Sequence, residues 1–275
     1  MAFFRTATLL GLLTGILLAV GYVIAGVSGM TLFLFISFLI NFVSYWYSDK
    51  IVLGMYRAKE IPKDANPQLH QIVENLAREE KIPKPKVYLV DSDIMNAFAT
   101  GRSPKKSAVA VTSGLLRNLN KDEIEGVLAH ELSHIKNRDT LTSTVAATVA
   151  GAIGYIAQIA WWSSFGGNRE RSPLLLPLLI FAPFAAMLIQ LAISRTREFK
   201  ADYTGAVISK KPLSLASALQ KISDNAKNNP IQGNAATSHL FIVNPFRSDA
   251  FIGLFSTHPK TEERIQRLRE LAKKM

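Results

Sequence analysis

The stretch His130-Glu131-Leu132-Ser133-His134 spells H-E-x-x-H within a segment whose apolar spacing predicts a helix. Residues four apart lie on one face of a helix, so the two imidazoles are expected to point at the same place. A divalent metal of the zinc type accepts two such nitrogens, and the adjacent glutamate is placed to take a proton from water at the metal. The stretch therefore predicts a metal-dependent hydrolase, with the peptide bond as the expected target.

Local signals support the helix that carries this motif. Asn120 is placed as an N-cap, and Glu123 follows three residues later, where a capping box has its acid. An apolar stripe then runs through Ile124, Val127, Leu128, Leu132 and Ile135. Chance spacing is the alternative, but two of only five histidines in the chain fall within this short window. Another, His70, lies off the apolar stripe of its own helix and is expected to be solvated.

A zinc enzyme of this kind needs a third protein ligand and one coordination position left open for water. The chain contains no cysteine, which excludes a thiolate ligand. In the segment 194–202, Glu198 and Asp202 stand four residues apart and are expected on one helical face. Glu198 would complete a His, His, Glu set, and Asp202 would hold the free N–H of a ligating imidazole. The alternative is that both acids pair with neighbouring basic residues on a solvated helix.

Together with three shorter segments, these motifs resemble the membrane-bound zinc metalloproteases of the HtpX type. That family comprises heat-shock quality-control relatives of the prenyl-protein CAAX protease. The shorter segments are Asn96-Ala97-Phe98-Ala99-Thr100-Gly101, His239-Leu240-Phe241-Ile242-Val243-Asn244-Pro245 and Thr257-His258-Pro259. The resemblance covers most of the chain.

The resemblance implies a gluzincin-like active site with one Zn²⁺ ion per chain. The metal ligands that it implies are His130, His134 and Glu198. Glu131 would be the catalytic base, with Asp202 as the supporting acid. His258 would lie near the catalytic water or the developing oxyanion, and the strand around Asn96–Ala99 would bind the substrate backbone.

Three long uncharged windows predict membrane-spanning helices in this chain of 275 residues. Residues 6–48 are long enough for two spans, because one crossing needs about 20 residues. The turn between these spans is expected at Gly26–Thr31. Residues 140–168 and 172–194 predict a third and a fourth span. The alternatives are a signal peptide for the first span alone and a buried hairpin in a soluble domain for the later two windows.

The spans divide the chain into four consecutive segments. Residues 1–48 and 141–193 are predicted to form two transmembrane hairpins, and 49–140 and 194–275 the two halves of one zincin-like catalytic domain. The expected strands of its small sheet are Lys86–Val90, Ala97–Thr100 and Ser107–Thr112. The predicted fold class is mainly α with a small β-sheet, in an integral membrane protein with about four transmembrane helices.

Basic residues near the span ends predict the orientation in the membrane. One side would hold Arg5, Lys50, Arg57, Lys59, Lys136, Arg138, Arg195, Arg197 and Lys200. Only Arg169 and Arg171 would lie on the other side, so the catalytic domain of this multi-pass protein is expected on the cytoplasmic face of the plasma membrane. A basic region against an anionic leaflet accounts for the net charge of +11. We therefore expect a lipid bilayer and polypeptides as partners, and no nucleic acid.

The predicted function is that of a zinc-dependent endopeptidase that degrades damaged or misfolded membrane proteins in quality control and the stress response. A prenyl-protein processing protease is a first alternative, disfavoured because four spans are too few to enclose a large intramembrane chamber. A non-proteolytic zinc-binding membrane scaffold or chaperone is a second, disfavoured because a purely structural site needs no base such as Glu131. A channel is disfavoured because no predicted span carries an ionisable Asp, Glu, Lys or Arg. No oligomeric state is predicted.

Overall fold

The computed structural model of the chain describes a large part of it in two compact units. The described residues are 2–141, 152–153, 177, 181, 196–230, 240–243 and 259–275. One unit comprises Met1–Tyr47 and Thr142–Ile193, and the other Ser48–Leu141 and Ser194–Met275. Most of the predicted third and fourth spans, together with His239 and His258, lies outside the described residues.

An apolar helical hairpin forms the described part of the first unit. Helix α1 (Ala2–Met55) is interrupted at Ala25 and Gly26, and Gly26 takes φ 61°, ψ −144°, a conformation that glycine adopts far more readily than other residues. Thr14 Oγ1 lies 3.0 Å from Ser37 Oγ. A straight helix would separate these two residues by about 35 Å at its usual rise. The chain therefore reverses direction, and the two arms of α1 lie side by side.

The reversal is tighter than the six-residue turn expected at Gly26–Thr31. The backbone after the kink is helical again, and the Thr31 hydroxyl donates to the Val27 carbonyl at 3.0 Å. The arms come into direct contact at Gly21 and Gly29, since a Cβ on Gly29 would collide with the Gly21 carbonyl oxygen. Small residues near the kink thus allow the chain to turn without a loop, which the composition of the segment alone did not reveal.

The outer surface of α1 is apolar. Among the described residues, the helix that could cross a membrane by length and composition is Gly11–Met55, and an 18-residue window within it has a mean hydropathy of 2.3. The side chains of Phe35 and Phe38 are 64% and 66% exposed, and several other large apolar side chains of α1 are also exposed. A contiguous apolar surface of this kind is unfavourable in water and suits a lipid environment.

The second unit is mainly helical and contains a small sheet, as predicted, and the pairing in this sheet is mixed. The strands are β1 (Lys59–Glu60), β2 (Lys86–Val90), β3 (Ala97–Ser103) and β4 (Lys106–Thr112). They lie in the order β1-β2-β4-β3, with β2 parallel to β4 and the outer pairs antiparallel. Among the described strands, β3 therefore lies at an edge of the sheet. Sequence patterns missed β1 because two residues are too few to show an alternation.

Helices pack against this sheet. The described helices of the second unit are α2 (Pro67–Glu79), α3 (Ser113–Asn118), α4 (Lys121–Asn137), α5 (196–209), α6 (Pro212–Asn228) and α7 (Thr261–Ala272). Local signals mark where they begin. The Asn66 side chain accepts a hydrogen bond from the Leu69 amide at 3.0 Å, and Pro67 occupies the first turn of α2.

The position of His70 on α2 corrects one expectation. His70 is buried rather than solvated, and its Nε2 lies 2.9 Å from the Ile61 carbonyl oxygen. Ile61 belongs to the segment that precedes α2. This segment covers the side of α2 that carries His70, which is not the side of the apolar stripe. His70 does not belong to the group of candidate metal ligands found among the described residues.

Helix α4 lies in the core of the second unit. Its residues Val127, Leu128 and Leu132 have no exposed surface and pack with buried residues of α2, the sheet and α6. Gly126 lets α6 approach closely, since a Cβ there would lie 3.2 Å from the Leu215 backbone. Burial of this apolar surface is the main stabilising contribution. It also holds the motif-bearing helix in one position.

Candidate metal centre

Helix α4 carries the H-E-x-x-H motif between two well-defined ends. The Asn120 side chain accepts a hydrogen bond from the Glu123 amide at 3.0 Å, and the Glu123 carboxylate accepts one from the Asn120 amide at 2.9 Å. The predicted capping box is therefore confirmed. The helix ends at Arg138, whose φ of 59° is in the left-handed region that usually favours glycine.

The structure brings the three predicted metal ligands together. The Nε2 atoms of His130 and His134 lie 3.2 Å apart, as expected for residues one helical turn apart. Glu198 comes from α5, with Oε2 3.6 Å from His130 Nε2 and Oε1 3.5 Å from His134 Nε2. Among the residues that the structure describes, these three form the group that could hold a metal, with ligand atoms within 4.8 Å of one another.

The spacing of these atoms fits a tetrahedral divalent metal. Metal–ligand bonds of about 2.0–2.1 Å place neighbouring ligands of a tetrahedron about 3.3–3.4 Å apart. The Nε2–Nε2 separation of 3.2 Å is close to that value, and the two nitrogens lie 3.5 and 3.6 Å from different oxygens of the Glu198 carboxylate. Two nitrogens and one carboxylate oxygen are also a donor set that zinc takes, and three protein ligands leave one position for water. Within the part of the chain that the structure describes, the donor set therefore matches that of a catalytic zinc site.

Acidic groups surround His130. Its Nδ1 lies 3.0 Å from Asp202 Oδ1, although the angle falls short of a well-aligned hydrogen bond. Burial alone would lower the pKa of His130, but the contacts with Asp202 and Glu198 outweigh it and raise the pKa to about 10. Surroundings that stabilise positive charge on a buried imidazole also favour a metal cation at the same place.

Arg264 on α7 holds Asp202 from the opposite side. The Arg264 Nε and Nη2 atoms donate to the two Asp202 carboxylate oxygens, both at 2.7 Å. Its Nη1 donates to the Ile242 carbonyl at 2.9 Å and lies 3.6 Å from Glu198 Oε2. Burial would raise the pKa of Asp202, but the Arg264 guanidinium lowers it to about 2. Asp202 is thereby kept ionised beside the ligating imidazole.

Arg264 belongs to none of the motifs that predict the site. The residue is only 1% exposed, which is unusual for an arginine. It precedes Leu268 by four residues, so helical spacing places both on the apolar face of α7. An arginine on an apolar face was the signal that could have identified it.

His134 also has an acidic partner that sequence analysis missed. Its Nδ1 lies 3.2 Å from Asp139 Oδ2. Arg197 Nη1 donates to the Asp139 backbone carbonyl at 3.2 Å. A carboxylate therefore lies next to Nδ1 of each of the two histidines, and an arginine contacts each of these carboxylates.

Glu131 points toward the sheet. Its Oε2 accepts a hydrogen bond from the Ala99 amide of β3 at 2.9 Å. Burial is the main cause that raises the pKa of Glu131 above the ordinary value for a carboxyl group. A raised pKa brings the carboxylate closer to the range in which it can accept and return a proton near neutral pH.

Asn96, in the segment expected to bind substrate, links β3 to a distant part of the chain. Its buried side chain donates to the Leu240 carbonyl at 3.0 Å and accepts from the Ile242 amide at 3.1 Å. Both the nitrogen and the oxygen of the Asn96 side-chain amide therefore hydrogen-bond to the backbone of this distant segment. His258, the other residue expected near the reaction, lies outside the described residues.

Gly205 permits a close approach of α5 to α4 beside the ligands. A Cβ at Gly205 would lie 2.8 Å from the His130 backbone nitrogen and 3.0 Å from its Cα. Any side chain at this position would push the helix that carries Glu198 away from α4. No local pattern indicated this contact, because it joins residues that are distant along the chain.

Comparisons with known proteins agree with this geometry. The sequence model described as peptidase family M48 matches residues 63–272. The chain is 54% identical to proteins named Protease HtpX homolog from Thermococcus sibiricus and Pyrococcus furiosus, over 98% of this chain and 96% of each relative. A Protease HtpX homolog from Persephonella marina is 52% identical, over 98% of both chains.

A solved structure resembles nearly the whole chain. The crystal structure of S. mikatae Ste24p aligns with a TM-score of 0.55 at 18% identity. The alignment covers 95% of this chain and 62% of the Ste24p chain, so this chain spans less than two thirds of Ste24p. At that identity the likeness shows a shared fold.

Proposed function

We propose that this chain, which belongs to peptidase family M48 and is a metalloprotease, is a zinc-dependent endopeptidase that degrades damaged or misfolded membrane proteins. The observation that carries the proposal is the meeting of His130, His134 and Glu198 around one point, with Glu131 beside it. Quality control as the physiological role is supported by the HtpX name of the relatives, which are similar over nearly their full length.

The three ligands would hold zinc, which when bound supplies a Lewis acid for the attacking water and for the scissile carbonyl. Glu131 takes a proton from that water and passes it to the leaving amine. Asp202 and Asp139 lie on the Nδ1 side of the two imidazoles, where a carboxylate favours the tautomer with its proton on Nδ1, and this tautomer leaves each Nε2 free to ligate. His258 is proposed to stabilise the developing oxyanion, in line with the family resemblance.

The edge strand β3 is the proposed binding site for the substrate backbone. Its Ala99 amide faces Glu131 rather than the neighbouring strand, so an extended peptide beside β3 would bring a carbonyl group close to the base. Main-chain recognition at an edge strand would suit cleavage of many different sequences.

A multi-pass position in the plasma membrane, with the catalytic unit in the cytoplasm, is the proposed location. The exposed apolar surface of the α1 hairpin supports membrane insertion. The excess of basic residues near the span ends of the catalytic halves supports the orientation. Membrane proteins would then be the substrates nearest to the active site.

Glu131→Gln in the purified full-length protein tests the proposal. The variant should keep one zinc per chain and lose casein cleavage by about 10²–10⁴-fold, because the base is removed and the ligands are not. Glu125→Gln is the matched control: Glu125 lies on the same helix but pairs with Lys211 at 2.6 Å. Full activity in Glu131→Gln would contradict the mechanism, and zinc binding without any cleavage by the unaltered protein would favour the scaffold alternative.

A further inference from the structure

His134 lies near the C-terminal end of α4, where the chain changes direction. The left-handed conformation of Arg138 ends the helix and brings Asp139 back beside the imidazole. Asp139 Oδ2 lies 3.2 Å from Nδ1, whereas the Nε2 of the same ring faces His130 and Glu198. Asp139 therefore contacts His134 on the side away from the metal position.

Asp139 is held in turn by a residue from the other half of the catalytic unit. Arg197 Nη1 donates to the Asp139 backbone carbonyl at 3.2 Å and lies 3.5 Å from its Oδ1. Both side chains are only 15% exposed, so solvent screens this pair less than an ion pair on the surface. Arg197 directly precedes Glu198, and the same contact therefore fixes the backbone next to the third ligand.

We propose that Asp139 and Arg197 are positioning residues of the metal centre. Asp139 orients the His134 imidazole and fixes its tautomer, and Arg197 ties this acid to the segment that carries Glu198. Both lie next to the points where the chain leaves and re-enters the catalytic unit around residues 142–193. The pair thus joins the two halves of the metal centre across the inserted stretch. This inference rests on the proposed function.

The affinity for Zn²⁺ alone tests the inference, measured by competition with a chromophoric chelator on the full-length chain in detergent. The variants are Asp139→Ala, Asp139→Asn, Arg197→Ala and the double variant with alanine at both positions. Thermal unfolding of the same samples with EDTA measures any general loss of stability. Asp122→Ala is the matched control, since Asp122 is an acid on α4 that pairs with Lys211 at 2.7 Å, away from the ligands.

Asp139→Ala is expected to lower the zinc affinity by about 10–100-fold, the usual effect of losing the hydrogen-bond partner of a ligating histidine. Asp139→Asn should lower the zinc affinity less than Asp139→Ala, because the amide oxygen of asparagine can still accept a hydrogen bond from Nδ1–H of His134. Asp122→Ala should bind zinc as the unaltered protein does. If Arg197 acts through Asp139, Arg197→Ala should weaken binding in the unaltered chain and have little effect in the Asp139→Ala background.

Unaltered zinc affinity in Asp139→Ala would overturn the inference, and so would equal losses in Asp139→Ala and Asp122→Ala. A full effect of Arg197→Ala in the Asp139→Ala background would overturn the role given to Arg197. His134→Ala separates this failure from failure of the proposed function. If His134→Ala loses zinc while Asp139→Ala keeps it, the inference alone is wrong; if both keep zinc, the ligand set itself is wrong.

Discussion

Arg264 and Asp202 form a buried ion pair with two parallel hydrogen bonds of 2.7 Å, and the Asp202 carboxylate also lies 3.0 Å from the ligand His130. Arg264 on α7 thereby contacts Asp202 on α5, and Asp202 contacts the metal ligand His130 on α4. Helix α7 supplies no ligand of its own. It nevertheless fixes the charge and orientation of a group that touches one.

Arg264→Lys should weaken zinc binding by about 10–100-fold, because a lysine ammonium does not reproduce the paired guanidinium–carboxylate contact that orients Asp202 behind the ligand. Competition with a chelator measures the affinity. Arg269→Ala is the control, since Arg269 is exposed on the same helix. Equal affinities of Arg264→Lys and the unaltered protein would show that Asp202 is held without the paired contact.

Gly205→Ala should lower both zinc affinity and proteolysis. The added methyl group would lie 2.8 Å from the His130 backbone nitrogen, so α5 has to move and Glu198 moves with it. Gly54→Ala serves as the control, because no atom lies within 4 Å of the position where its Cβ would be. Unchanged zinc content and casein cleavage in Gly205→Ala would mean that α5 moves aside without disturbing the ligand.

Glu123 should make the stability of the metal-free protein depend on pH. Burial opposes its ionisation, but hydrogen bonds from Lys221, Ser217 and Asn120 outweigh burial and lower the pKa of Glu123. A lowered folded-state pKa stabilises the fold above the ordinary glutamate pKa, and this contribution is lost as the pH falls through the folded-state value. Glu123→Gln should therefore cost about 1–3 kcal/mol at neutral pH and progressively less in acid.

Denaturant unfolding in detergent with EDTA, repeated between pH 7 and pH 3, measures the difference between Glu123→Gln and the unaltered chain. Glu79→Gln provides the control, because Glu79 is exposed near the end of α2. A destabilisation by Glu123→Gln that is the same at every pH would contradict the assignment of the effect to the charged carboxylate.

Local patterns predicted the central parts of the catalytic unit. The capping box at Asn120 and Glu123 forms as expected, and the strand predicted at Lys86–Val90 has those bounds in the structure. The two histidines share a helical face because their spacing alone determines it. Such features depend on residues a few positions apart, so the sequence contains all the information that they need.

Contacts between distant residues could not be predicted in the same way. Asp139 and Arg197 are separated by the inserted apolar stretch, and Arg264 reaches Asp202 from 62 positions further along the chain. The close approach at Gly205 depends on the relative position of two helices, which no local pattern specifies. A single sequence does not show which distant residues meet.

The most direct measurement is an anomalous difference map at the zinc absorption edge, from crystals of the zinc-loaded protein. The predicted result is one strong peak about 2.0–2.2 Å from His130 Nε2, His134 Nε2 and a Glu198 oxygen. A peak bound by the two histidines with the Glu198 carboxylate several ångströms away, in fully loaded and folded protein, would contradict the proposed ligand set.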